Sequence, residues 1–308
     1  MRGRTMKRPG LCTVLIAALV CAVVTVSTSG EKKFEKKFSV SSGGTISIRT
    51  DVGDIEIAGT SEGVVSIEAL VRGSERQVDG FEITASQNEQ GVEVKGRNGH
   101  SGWFSWFGHS PDVKFTITVP REYSAKISTS GGNITLSELK GRMDGETSGG
   151  DLNLRDLDGP AKLETSGGRI SGENLTGTIH LETSGGDIHV ATVSGDIDVS
   201  TSGGNISVVD VDGKVNAETS GGDVAVRVKS SNKGVHAETS GGNIDILMPR
   251  DISATIDAST TGGDVRCDLP VTMSGRFSES RVRGTVNGGG NPIRAYTSGG
   301  DVRIRTSE

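Results

Sequence analysis

The chain has 308 residues, with 33 Lys and Arg against 39 Asp and Glu and a net charge of −6 at pH 7. Only 4% of the residues are aromatic and 32% hydrophobic, while Gly contributes 46, a balance that speaks against a globular enzyme with a thick core. Pro, at 7, is too scarce for collagen or a Pro-rich linker, and the acidic balance excludes a general affinity for nucleic acid.

Residues 1–29 read as a signal peptide. Arg2, Arg4, Lys7 and Arg8 precede an uncharged run from Leu11 to Val26, and Ser27, Thr28 and Ser29 come after it. Basic, apolar, then small polar is the order of an export signal. The apolar run spans 16 residues, short for a membrane span, so an uncleaved anchor is the poorer reading. A lipoprotein site at Cys21 is poorer still, because Val20 precedes it. Cleavage leaves 29 Lys and Arg against 39 acids, near −10, and leaves Cys267 as the one cysteine. The fold must then stand without an internal disulfide, and Cys267 reads as an inert small residue. The expected location is outside the cytoplasm: periplasm, cell envelope or extracellular space.

Residues 30–125 read as a β-rich lead-in that caps the repeat region. Gly44 and Gly53 lie nine apart in GTISIRTDVGDIEI, each ahead of an apolar alternation. From about Val64 the pattern loosens into VVSIEALVRG, FEITASQ, GVEVKGR and VKFTITVP, ordinary strands with longer loops. One stretch differs. GHSGWFSWFGHSP at 99–111 holds Trp103, Phe104, Trp106 and Phe107, four of the chain's eleven aromatics. It reads as a loop with two possible roles: a hydrophobic plug over the end of the stack, or an exposed tip that meets membrane, glycan or another subunit.

Residues 126–308 carry the repeat. TSGG begins at 129, 147, 165, 183, 201, 219 and 239, with TTGG at 260 and TSGG again at 297, and the first five intervals are all 18. Each unit contains two halves of the form Gly, any, apolar, any, apolar, turn. Aligned on this ruler, Ile134, Leu152, Ile170, Ile188 and Ile206 fall in one column, and Met143, Ala161, Ile179, Ile197 and Val215 in another. Alternation at period two marks strands with one face inward. A third column, Leu139, Leu157, Leu175, Val193 and Val211, lies just ahead of the second glycine and plugs a corner.

The predicted fold is an all-β, single-stranded β-solenoid, β-helix- or β-roll-like, with about 18 residues per coil stacking at about 4.8 Å. Each strand pairs with its counterpart in the coils before and after. Whether the cross-section has two sides or three stays open. Gly-Gly is expected to supply positive φ at a sharp corner and to let coils approach closely. The Thr and Ser hydroxyls, with Asn or Asp, are expected to tie down turn amides. Asn133, Asp151, Arg169, Asp187, Asn205, Asp223 and Asn243 should form one structural ladder.

The opening FSVSSGGTISIRTDVGDIEIAG, the junction KFTITVPREYSAKISTSGGNI, the TSGGDI repeats and the terminal VNGGGNPIRAYTSGGDVRI resemble the bacterial β-strand-repeat family of unknown function labelled “putative adhesin”. The resemblance covers nearly the whole chain after the leader. It implies an exported or envelope-facing solenoid and transfers no catalytic residue.

The search for chemistry yields no catalytic, cofactor or metal residues. Calcium β-rolls place Asp four residues after paired glycines; here Asp or Asn comes directly after them, and Arg169 enters the column. Glu146, Glu164, Glu182, Glu218 and Glu238 recur on the ruler as a solvent-facing stripe, without the two distinct environments of an acid/base pair. His180 and His189 lie on outward positions of opposite halves, and neither has the spacing of a zinc pair. The TSGG serines have no matching base column.

The leading expectation is an exported, non-enzymatic, adhesin-like scaffold or surface-binding protein. An envelope regulatory module that binds peptide or lipid through residues 99–111 is the alternative, and a polysaccharide-active enzyme is the third. The partner-binding candidates are Trp103, Phe104, Trp106 and Phe107; the expected partners are an envelope surface, a glycan or a protein, with membrane contact through the loop.

Overall fold

The structure, a computed structural model, describes residues 20–28, 30–99, 110–273 and 278–307, the first of these by its backbone. Trp103, Phe104, Trp106 and Phe107 lie outside the described residues.

Each 18-residue repeat is one coil of two strands. In one such coil Leu152–Asp158 runs to a corner at Gly159 and Pro160, Ala161–Thr165 returns, and TSGG closes the circuit. Counterpart strands of successive coils pair in parallel: Leu152 lies between Ile134 and Ile170, and Ala161 between Met143 and Ile179. Seven-residue strands thereby build a long-strand sheet and five-residue strands a short-strand sheet, each reaching fourteen strands with its ends. The Ile134 and Met143 columns face each other between the sheets and are buried.

The third column settles the cross-section. Ahead of Leu139, Leu157, Leu175, Val193 and Val211 stand Glu138, Asp156, Asn174, Thr192 and Asp210, all left-handed, with φ between 53° and 58°. That one residue interrupts the alternation, so Leu157 turns inward with Leu152 and Leu154 while Arg155 and Asp156 both face out. The coil is two-sheeted, with a crease in the long strand.

The two corners use glycine differently from the expectation. Of the TSGG glycines only Gly132 is left-handed, at φ +118°; positive φ belongs to the opposite corner, at Gly141, Gly159, Gly177 and Gly195. The second TSGG glycine is required by proximity instead. A Cβ on Gly168 would lie 2.0 Å from the carbonyl oxygen of Gly150, whereas one on Gly167 meets nothing nearer than 3.8 Å.

Thr and Asx divide the remaining work at this corner. Thr183 Oγ1 donates to the Gly168 carbonyl of the preceding coil at 2.8 Å and accepts from the Gly186 amide at 3.4 Å. Thr129, Thr147, Thr165, Thr183, Thr201 and Thr219 are accordingly buried, while the adjoining serines are exposed. Asn133 Oδ1 accepts from the Asp151 amide, Asp151 Oδ1 from the Arg169 amide, and Asp187 Oδ1 from the Asn205 amide, each at 2.8 Å. The ladder is structural because its oxygens cap the next coil's amides.

At both ends spatial order departs from chain order. The coil of Thr45–Thr50 and Asp54–Thr60 sits between the strands Gly91–Asn98 and Asp112–Pro120 on one side and Ser124–Thr129 and Ile134–Lys140 on the other. The last coil, Pro292–Thr297 with Val302–Thr306, slots between Val235–Thr239 with Ile244–Met248 and Ala254–Thr260 with Val265–Cys267. The corner contacts obey space rather than chain: Thr297 Oγ1 donates to Gly242 and Thr260 Oγ1 to Gly300. Antiparallel strands then terminate the stack. At the first end Val64–Arg72 flanks Asp112–Pro120, Glu31–Ser39 follows it and Val20–Thr28 lies outermost, while Phe81–Asn88 flanks Gly91–Asn98. At the other, Arg281–Val286 flanks Ala254–Thr260.

Candidate functional site

The outer face of the short-strand sheet carries charged groups and histidines that face one another across successive coils. Two positions per strand point outward, and parallel register stacks each into a column. One column runs Asp144, Lys162, His180, Asp198, Asn216, His236; beside it run Glu146, Glu164, Glu182, Ser200, Glu218, Glu238. The predicted glutamate stripe is therefore real, but its neighbours differ from coil to coil.

Local pairing follows from this mixture. Lys162 Nζ is 2.8 Å from Glu164 Oε1, and that carboxylate holds the ammonium above its ordinary range. Arg142 pairs with Asp144 at 2.7 Å. Asn216 Nδ2 donates to Asp198 Oδ1 at 2.8 Å and to Glu218 Oε1 at 3.0 Å. Along the adjoining TSGG corner a groove of about 390 Å³ is lined by Ser130, Ser148, Ser166 and Ser184 together with Glu146, Glu164 and Glu182.

His180 stands out on this face. Its Nδ1 lies 3.0 Å from Asp198 Oδ2 on the next coil and its Nε2 lies 3.9 Å from Glu182 Oε2 on its own strand. Glu164 joins from the coil before, so that one donor atom from each of Glu164, His180 and Glu182 lies within 4.8 Å of the others. His236 occupies the same column, with Nε2 3.4 Å from Glu238 and 3.8 Å from Glu218. His189, by contrast, faces out from the long-strand sheet between Ser171 and Ser207. Reasoning from spacing along the chain missed the Glu164–His180–Glu182 group because its members are separated by 16 and 2 residues. Reading across the columns of the 18-residue ruler finds it.

Cys267 ends the short strand Val265–Cys267, and burial pushes its thiol up, away from the thiolate a nucleophile needs. Residues 99–111 join the strand Gly91–Asn98 of the short-strand sheet to Asp112–Pro120 of the long-strand sheet, and Gly99 donates its amide to Gly80 at 2.7 Å.

Fold and surface together define a parallel, two-sheeted β-solenoid with antiparallel caps. The chain belongs to the Toastrack DUF4097 family, whose sequence profile matches residues 43–305. Among solved structures it is similar to a putative adhesin from Bacteroides fragilis NCTC 9343, at 14% identity over 89% of this chain and 97% of that one, with a TM-score of 0.44. It is also similar to a putative lipid binding protein from Parabacteroides distasonis ATCC 8503, at 16% identity over 90% and 97%, with a TM-score of 0.37. No curated protein matches the chain.

Proposed function

We propose that the protein is an exported, non-enzymatic, adhesin-like scaffold that holds a binding tip, the 99–111 loop, at one end of a stiff rod. The observation that supports this reading is the continuity of the stack. Eleven parallel strands run from Asp112–Pro120 to Val265–Cys267 in the long-strand sheet, which at about 4.8 Å per strand makes a rod roughly 50 Å long. Corner side chains bond coil to coil along it, so the ends are held at a fixed separation.

The loop springs from the first end of that rod and concentrates Trp103, Phe104, Trp106 and Phe107 in one short segment. Aromatic faces stack on sugars, and Trp favours the lipid headgroup region. Residues 1–29, with their basic, apolar, small order, would deliver the rod across a membrane, and their cleavage would remove the outermost strand Val20–Thr28 and leave Glu31–Ser39 at that edge. An acidic chain at such a location meets an envelope surface, a glycan or a protein rather than nucleic acid.

The test compares the wild-type chain with Trp103→Ala/Trp106→Ala for retention on liposomes of envelope lipid composition and on immobilised envelope glycans. Loss of retention with unchanged thermal unfolding is the expected result. Equal retention by both proteins would refute the tip.

A further inference from the structure

We propose that Glu164, His180 and Glu182 form a site for a divalent transition-metal ion of the zinc type on the outer face of the short-strand sheet. The inference is independent of the 99–111 loop. His180 and Glu182 alternate on one strand, so their side chains stand on the same face, and parallel register brings Glu164 directly beside Glu182. Their donor atoms already lie within 4.8 Å of one another. Around a tetrahedral ion with ligand bonds of about 2.0–2.2 Å the donors sit roughly 3.5 Å apart. Rotation of the two partly exposed glutamates, 40% and 54% open, covers that difference, with Glu164 exchanging its 2.8 Å pairing with the exposed Lys162 ammonium for the ion.

The imidazole is oriented for the task. In the Nδ1-protonated tautomer the ring donates to Asp198 Oδ2, 3.0 Å away, which frees Nε2, 3.9 Å from Glu182 Oε2, to ligate an ion. A carboxylate behind a ligating histidine fixes tautomer and ring plane in this way. Asp198 is itself held by Asn216 Nδ2 at 2.8 Å. One imidazole and two carboxylates leave a fourth position for water or for a group on a partner, the make-up of an open zinc site.

The chain supplies its own contrast three coils further on. His236, Glu238 and Glu218 repeat the three ligand positions, with Nε2 3.4 and 3.8 Å from the two carboxylates. Opposite His236, in the place that Asp198 takes for His180, stands Arg294. His236 Nδ1 is buried without a hydrogen-bond partner. No acceptor there selects the Nδ1-protonated tautomer, and a guanidinium replaces the carboxylate that would favour a cation. The second group is an imidazole beside two acids; the first is a ligand set with its support in place.

The experiment titrates Zn²⁺ into the full chain by calorimetry, in a Cys12→Ser/Cys21→Ser/Cys267→Ser background so that no thiol competes, and repeats the titration with Co²⁺ to read its visible spectrum. One saturable equivalent is expected, with a tetrahedral Co²⁺ spectrum. His180→Ala should abolish it, Asp198→Asn should weaken it about 10–100-fold as removal of outer support does elsewhere, and His236→Ala should leave it unchanged. Circular dichroism of the metal-free variants checks that the fold is intact. Absence of saturable binding, binding that survives His180→Ala, or an equal loss in His236→Ala would each overturn the site.

Discussion

The second glycine of each TSGG corner offers the sharpest test of how the coils fit together. Ala at Gly186 would place its Cβ 2.1 Å from the Gly168 carbonyl oxygen, 2.5 Å from the Gly168 carbonyl carbon and 2.8 Å from the Arg169 nitrogen. All three are backbone atoms of the preceding coil, so no rotamer can yield, and the coils must part by about 1 Å to reach ordinary contact. Two hydrogen bonds cross the same corner, the first buried and the second partly so: Thr183 Oγ1 to the Gly168 carbonyl at 2.8 Å and Thr201 Oγ1 to the Gly186 carbonyl at 3.0 Å. Overpacking costs roughly 1–3 kcal/mol, and loosening each bond about 0.5–1.5 kcal/mol. Gly186→Ala should therefore destabilise by about 2–6 kcal/mol. The neighbouring Gly185→Ala provides the control, because its Cβ meets nothing nearer than 3.5 Å and its φ is not left-handed. That variant should be neutral, or up to about 1 kcal/mol more stable through the unfolded chain. Urea unfolding monitored by circular dichroism reads both. Equal midpoints for the two variants would refute the close-approach argument.

Two further outcomes are expected from the same corners and from the far cap. Thr201→Val keeps the shape but removes the hydroxyl that donates to Gly186 at 3.0 Å and accepts from Gly204 at 3.3 Å; with both backbone groups left unpartnered, a loss of about 2–3 kcal/mol is expected in the same urea assay, and Thr201→Ser should recover part of it. At the cap, burial opposes the charge of Asp257, but Arg283 and Arg281 outweigh it and hold the carboxyl below the usual range. A lowered folded-state value contributes stability above the ordinary carboxylate range and loses it as pH falls through that lowered value. Asp257→Asn should thus melt below wild type at neutral pH, with the gap closing in acid; a gap independent of pH would refute the pairing.

How much of this was legible in the sequence depends on whether a feature repeats. The Ile134 and Met143 columns, the coil length and the Asx ladder arise from residues that recur every 18 positions, because stacking forces recurrence. The left-handed column was not legible: Glu138, Asp156, Asn174, Thr192 and Asp210 share a backbone state but no side-chain type, and Thr192, β-branched at φ 58°, is a residue no propensity would place there. The role of Gly-Gly was half legible. Two glycines equally suit a left-handed turn or a near contact, and only geometry separates them. The order of the end coils was hidden for a different reason. Insertion of 292–306 between two earlier coils leaves the local pattern unchanged, since each strand looks the same whichever neighbour it joins.

The same logic says where chemistry can hide in a repeat. A residue kept in every coil is explained by the coil: the threonine bonds a carbonyl, the second glycine makes room, the Asp or Asn caps an amide. A residue that departs from its column has no such explanation and must be read against its lateral neighbours. Arg169 departs, and Asp187 answers it from the next coil at 3.5 Å; this is repair, since Arg has no oxygen to offer the next amide. His180 departs with acids on three sides, two of them in the adjoining column and one behind its Nδ1. His236 departs with Arg294 in place of that third acid. Each histidine also has a cation in its own column, Lys162 beside His180 and Arg294 beside His236. What separates them is the acid behind Nδ1, present for His180 and absent for His236, and Zn²⁺ titration of the His180 and His236 variants decides between a built site and a charge mosaic.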